Sequence, residues 1–338
     1  MKRKINMLVV FCLIFALTFS FNTASVYATE KSEKIYVIPG GEPFGIKMFS
    51  EGLLIINIES FETEKGDACP AQKCGLKIND VIYAADGAVL YSNKDLKTII
   101  ENSSGEAVKL KIKRNDKYMD IYLTPVIGSD GIYKAGMWVK DSAAGLGTIS
   151  FYSEDRGLFC GLGHGICDQT TKSLMPISYG EIDKAFISSV TMSKSGDVGT
   201  LNGYFTDEVL GKAYKNQNDG IYGKISGEIS DKNMIELGHK DDTVCGKAQI
   251  ITTISGETPK LYDIEIVKIN RNSETINMTI KITDKELLEN TGGIVQGMSG
   301  SPIIQNNKLV GVVTHVIIDN PCCGYAIYAE TMYKEMVE

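Results

Sequence analysis

The sequence predicts a mainly β protein, with a small α+β domain followed by a larger β barrel or sandwich. Three observations carry this. Residues 36–126 alternate short strand-like runs and polar turns around one helical segment. After Ile127, many short β-like runs are punctuated by glycine, asparagine and aspartate. No convincing long amphipathic helix interrupts them, and only a short one is read near Asp284–Glu289. At 338 residues, 43% hydrophobic and 23% charged, the chain has material for two or three domains.

The first element is "MKRKINMLVVFCLIFALTFSFNTASVYATE". Lys2, Arg3 and Lys4 lead into an apolar stretch from Met7 to about Phe21 and then Val26-Tyr27-Ala28, the layout of an export signal over residues 1–28. The apolar part is shorter than the roughly 20 residues that span a bilayer, which favours a cleaved leader over a retained anchor. Next, "LLIINI" (53–58), "DVIYAADG" (80–87) and "VKLKIKRNDKYMDIYLTPV" (108–126) read as strands, the last containing a hairpin at Asn115-Asp116. "NKDLKTIIENS" (93–103) sets Leu96, Ile99 and Ile100 at helical spacing behind Asn93 as N-cap. From 127 to 338, runs such as "GLGTISFYS", "KAQIITTISGE", "LYDIEIVKIN" and "LVGVVTHVII" build the β body.

A net charge of −7, with no Lys/Arg run beyond the first four residues, excludes a non-specific phosphate-binding surface, so no nucleic acid is expected among the partners. Cys12 lies in the leader, and the other seven cysteines cannot all pair within one chain. Cys160, His164 and Cys167 have ligand-like spacing but lack a fourth ligand, so no metal or other cofactor is expected.

Only three histidines are present. "GLFCGLGHGICD" surrounds His164 with glycines and leaves it on a loop, free to work. His239, in "IELGHKDDT", reads as a solvated turn, and His315, in "VGVVTHVII", as strand or cleft wall. "QGMSGSP" (296–302) resembles the nucleophile loop of chymotrypsin-like serine peptidases, Gly-x-Ser-Gly-Gly/Ser-Pro. Position by position, Ser299 matches the nucleophile, and the amides of Gly297 and Ser299 match the oxyanion hole. Glycines suit that role because an attacking oxygen needs an open approach while bare amides meet the developing anion. Ser301 matches a spacer glycine before Pro302 and reads as structural. The separation of His164 and Ser299, 135 residues, suits a histidine on one barrel and a serine on the other. For the acid, Asp197 in "SKSGDVGT" competes with Asp284, which lies 15 residues before Ser299.

"PFGIKM" (43–48), followed by "CPAQKCGLKINDVIYAADGAVLYSNKDLKTII" (69–100), resembles a PDZ domain. The resemblance implies that Phe44, Gly45 and Ile46 form the loop whose amides receive a peptide ligand. A longer stretch, "KITDKELLENTGGIVQGMSGSPIIQNNKLVGVVTHVIIDNPCCGYAIYAE", together with "GLGHGICD", resembles the stage IV sporulation protein B peptidases, exported PDZ-containing serine peptidases of endospore formers. That resemblance implies a PDZ domain over 36–126 and a chymotrypsin-like double β-barrel serine peptidase domain over 127–338. It implies a triad of His164, Asp284 and Ser299, although Asp284 also reads as a helix N-cap and Asp197 and Asp168 are substitutes. It further implies export across the forespore membrane into the intermembrane space, self-cleavage, and control through a peptide ligand of the PDZ groove. The implied substrate is a membrane-tethered regulator whose cleavage triggers intramembrane processing of a late mother-cell sigma factor. Rival readings are a non-catalytic PDZ adaptor, opposed by the intact serine loop and His164, and a general envelope quality-control peptidase, opposed by the PDZ segment preceding the peptidase.

Overall fold

A strand too long for its own domain organises the fold. The computed structural model describes residues 34–153, 155–227, 229 and 233–338, so the export signal at 1–28 lies outside the described residues. After β1 (Tyr36–Pro39), β2 (Pro43–Ile58) buries Phe44, Ile46 and Met48 in its first half and Leu53, Leu54 and Ile55 in its second. Between the halves Gly52 takes φ +84°, and a Cβ there would lie 2.8 Å from the Ile82 carbonyl oxygen. Only glycine fits that kink.

The second half of β2 enters a small α+β body with α1 (Pro70–Lys73), β3 (Val81–Ala85), β4 (Ala88–Val89) and α2 (Asn93–Asn102). β5 (Val108–Arg114), β6 (Lys117–Leu123), β7 (Val126–Ile127) and β8 (Tyr133–Lys134) follow. The β5–β6 hairpin turns at Asn115 and Asp116, both with positive φ, as a two-residue hairpin turn demands. α2 is capped by Ser92 rather than Asn93, in a capping box with Asp95. It sets Leu96 and Ile100 onto Leu53, Ile55, Ile82 and Leu110.

β9 (Met137–Ser153) returns along β2, antiparallel from Ile58↔Met137 to Pro43↔Thr148. This ribbon delivers the chain to a closed barrel completed by β10 (Leu158–Gly161), β11 (Tyr179–Thr191), β12 (Thr200–Gln217) and β13 (Gly220–Ile225). Its strands follow the order β2–β9–β10–β13–β12–β11 and close on β2 around Phe44, Ile46, Ile149, Phe159, Ile182 and Ile221. β14 (Ile235–Leu237) pairs with both β1 and β19 (Lys308–Val316). A second barrel is built from β15 (Gly246–Thr252), β16 (Lys260–Ile269), β17 (Met278–Ile282), β18 (Pro302–Gln305), β19 and β20 (Cys323–Tyr328). Here the order is β15–β16–β17–β20–β19–β18, closing on β15 around Ile250, Ile264, Ile280 and Val313. α3 (Lys285–Thr291) precedes the serine loop, and α4 (Ala329–Val337) packs on Cys160, Tyr222 and Leu309.

The mainly β fold, with a PDZ domain and a trypsin-like double barrel, is the one the sequence predicts. The boundary at 126/127 is corrected. β1 and the first half of β2 are barrel strands, so the PDZ body is inserted between two strands of the first barrel. A border that falls inside one strand is marked by a single kinked glycine, Gly52, rather than by a loop.

Candidate active site

Ser299 lies in the loop between α3 and β18, where Gly297 and Gly300 take φ +99° and +104°. A Cβ on Gly300 would fall 1.9 Å from the Thr148 carbonyl oxygen, so no side chain is possible there. Thr148, on β9 of the other barrel, clamps the loop. Its N–H donates to Ser299 O at 3.1 Å and its hydroxyl to Gly297 O at 2.7 Å. With the carbonyls so engaged, the amides of Gly297 and Ser299 donate to no acceptor among the described residues. The Ser299 hydroxyl donates to Thr314 O at 2.5 Å. Ser301 is fully buried and donates to Met298 O at 2.7 Å, which removes it as an attacking group.

His164 reaches this place from the first barrel. Leu162 and Gly163, with φ +70° and +66°, turn the chain after β10 against β19, where a Cβ on Gly163 would lie 3.1 Å from Val313 O. The His164 ring then stands 4.6 Å, centroid to centroid, from that of His315. Since His315 follows Thr314, the acceptor of the Ser299 hydroxyl, the end of β19 gathers all three side chains. His164 Nδ1 is 2.9 Å from Gly165 O. A carbonyl only accepts, so the proton is assigned to Nδ1 and Nε2 keeps its lone pair. Burial lowers the His164 pKa against the smaller opposing effect of that bond, which keeps the ring neutral at neutral pH. His315 is lowered to about 4, first by desolvation and then by the His164 ring.

No carboxylate bonds to His164 among the described residues. Asp284 is the N-cap of α3, accepting the Leu287 N–H at 2.9 Å and the Asp263 N–H at 3.4 Å. Its expected place in a triad is therefore corrected. The residue opens a helix, where the first-turn amide of Leu287 takes up one of its oxygens and the β16 amide of Asp263 the other. Asp168 is buried against Lys140, Nζ at 3.1 Å, and the amides of Thr170 and Thr171. Burial pushes its carboxyl up, but those partners outweigh burial and hold it low. Asp197 is exposed in a turn with Lys194. Asp219, which the sequence reading passed over, has its pKa raised by burial against the opposing effect of the Tyr222 hydroxyl, and its neighbours are Tyr222 and Cys160.

The peptide-binding loop is also corrected. Phe44 and Ile46 are barrel core, and Gly45 pairs with Leu146 on one side and Asp183 on the other. Gly45 is glycine because a Cβ would lie 2.3 Å from the Phe205 ring, not because a ligand approaches it. The expected loop properties occur instead at Ala135 and Gly136. Their carbonyls accept the N–H groups of Ala71 (2.8 Å) and Glu59 (3.1 Å), their own amides donate to no acceptor among the described residues, and Gly136 has φ +75°. A cavity of about 630 Å³ adjoins them, lined by Leu96, Ile100, Met137 and Val139 among others. "KAGMWV" (134–139) carries the same apolar-Gly-apolar signal as "PFGIKM", and only the pairing of β2 inside the barrel separates the two.

A PDZ body set into two closed barrels that meet at a glycine-lined serine loop is the build of a serine protease, and family comparison agrees. A family model described as SpoIVB peptidase S55 matches residues 131–333, and a PDZ-domain model matches 65–114; the chain belongs to the SpoIVB peptidase S55 family. No curated protein sequence matches it. Among solved structures, similarity extends to the PDZ domain of an SdrC-like protein from Listeria monocytogenes, 21% identical, covering 26% of this chain and 87% of that one with a TM-score of 0.22. The HtrA-type protease AlgW with decapeptide is 14% identical over 59% of this chain and 53% of its own, with a TM-score of 0.34. The Rv3671c protease from M. tuberculosis in its active form is 13% identical over 58% and 74%, with a TM-score of 0.34.

Proposed function

We propose that the chain is an exported serine endopeptidase in which Ser299 attacks, His164 is the general base, and the amides of Gly297 and Ser299 hold the oxyanion. The observation that carries this is the convergence of Ser299 and a neutral His164 on Thr314–His315, beside two unpaired amides. On attack the Ser299 proton leaves Thr314 O for His164 Nε2, and the protonated ring then delivers it to the departing amine. The Gly165 carbonyl holds the tautomer, a task given elsewhere to a carboxylate. Each oxyanion donor contributes about 2.7–4 kcal/mol of barrier lowering.

Family membership and the apolar leader support a role in endospore formation: self-cleavage, then cleavage of a membrane-tethered regulator between the two membranes, triggering intramembrane processing of a late mother-cell sigma factor. The PDZ domain supports binding of a peptide or protein substrate. The unpaired amides of Ala135 and Gly136 and the cavity beside them support a ligand loop there, with the groove between β9 and α2. Intact-mass spectrometry of the purified chain beside Ser299→Ala is the test. Self-generated fragments in the parent alone are expected, and identical fragments in both proteins would remove self-cleavage at this serine.

A further inference from the structure

His164 is held on a loop pressed between the two barrels, and the glycines on either side of it make that fit possible. A Cβ on Gly163 would meet Val313 O of β19 at 3.1 Å, and one on Gly165 would meet Gln217 O of β12 at 2.5 Å. Next to Gln217, near the end of β12, is Asn216, a buried polar residue that takes no part in the proton transfers. Its Oδ1 accepts the Ile166 N–H at 2.8 Å, and its Nδ2 donates to Ile166 O at 2.9 Å and to Met175 O at 2.8 Å. One N–H and two carbonyls fix the orientation of the side-chain amide, since the reverse would set Nδ2 against a donor and Oδ1 against two acceptors.

The Ile166 N–H and the Gly165 carbonyl belong to one peptide unit, and in a trans peptide they point in opposite directions. Asn216 holds the N–H side of that plane, while the carbonyl side lies 2.9 Å from His164 Nδ1. Rotation of the plane would turn the carbonyl away from the ring and bring the N–H into its place. Nδ1 would then have to accept, which moves the ring proton to Nε2, the nitrogen that must receive the Ser299 proton.

We infer that Asn216 is a positioning residue that sets the His164 tautomer through the Gly165–Ile166 peptide plane. In a serine triad a carboxylate accepts directly from Nδ1–H. Here a neutral side-chain amide acts at one remove, and its bond to the N–H side of the peptide polarises the carbonyl that faces the ring. Asn216 is only 6% exposed, so water competes little for these bonds. The inference deepens the reading of His164 as general base and rests on it for the effect on rate. The tautomer itself is readable whether or not Ser299 reacts.

The test is nitrogen-15 NMR of histidine-labelled full chain, with His164→Ala assigning the resonances, beside fluorophosphonate labelling of Ser299. The parent should show His164 protonated on Nδ1 and bare at Nε2. Asn216→Leu, close in shape but without the hydrogen bonds, should populate the Nε2–H form and slow labelling by about 10²- to 10⁴-fold, the upper end being the usual loss when a triad histidine holds the wrong tautomer. Asn216→Asp keeps an acceptor for the Ile166 N–H and should retain the parental tautomer, with faster labelling than Asn216→Leu. A parent protonated on Nε2 overturns the inference without any variant, and so does the Nε2–H form in folded Asn216→Asp. A folded Asn216→Leu with the parental tautomer overturns it too, whatever the labelling rate, because slower labelling alone would reflect a general structural role. A tautomer shift in Asn216→Leu together with parental labelling in His164→Ala supports the relay and contradicts the assignment of the base.

Discussion

Thr148 donates its hydroxyl to the carbonyl of Gly297 at 2.7 Å, a bond from the first barrel to the serine loop of the second. It fixes one peptide unit of the loop while the Thr148 amide fixes another through Ser299 O. Thr148→Val keeps the β-branched shape and strands an inward carbonyl, so it should lower stability by about 1–3 kcal/mol. Turnover should fall more than substrate affinity. Chemical denaturation and the split of kcat against KM check both, and parental kcat would show that the clamp does not shape the site.

Asp284→Asn should keep stability and activity close to parental, because asparagine caps a helix as well as aspartate does. Asp284→Ala should lose about 0.5–2 kcal/mol of stability, with activity falling only as the folded fraction falls. A folded Asp284→Asn protein with turnover reduced by orders of magnitude would instead return the carboxylate to the catalytic machinery. Denaturation curves taken beside the kinetics separate the two outcomes.

Gly45→Ala places a methyl group against the Phe205 ring and should cost about 1–3 kcal/mol as overpacking. It should leave peptide binding at the PDZ groove unchanged when measured below the unfolding transition. Weakened binding in a protein of parental stability would restore Phe44, Gly45 and Ile46 as the ligand loop.

That contrast shows what the sequence made legible. "QGMSGSP" matches the nucleophile loop of serine peptidases in sequence, and its glycines at 297 and 300 are dictated by backbone and contacts within a few ångströms. A β barrel or sandwich was legible from turn residues between short strands, and its division into two barrels only from the family resemblance. The PDZ loop was not, because "PFGIKM" and "KAGMWV" share a local pattern and differ only in which sheet pairs them. Asp284 was misread for a related reason. A carboxylate before "KELLEN" serves a cap or a histidine equally well, and only the distant pairing partners of the segment decide.

His164 and His315 both have lowered pKa values, with desolvation the first cause in each. The acid limb of kcat/KM should therefore fall below the ordinary imidazole value of about 6.5. Stability follows the same sign. As pH drops from about 6.5 toward about 4, the unfolded chain takes up protons that folded His315 refuses. Because His315 is exposed, solvent screening leaves only a shallow decline of stability across that window. Replacing His315 by phenylalanine should flatten the decline. A parental slope in His315→Phe, measured by thermal unfolding across pH 4–7, contradicts the assigned titration.

The most direct measurement is peptide mapping of the full chain after reaction with a fluorophosphonate, run beside Ser299→Ala and His164→Ala. The expected result is one adduct on Ser299 in the parent, none in Ser299→Ala, and labelling slowed by orders of magnitude in His164→Ala, with all three proteins folded. An adduct on another residue, or peptide-bond cleavage by folded Ser299→Ala at the parental rate, would contradict the assignment of the serine loop as the catalytic centre.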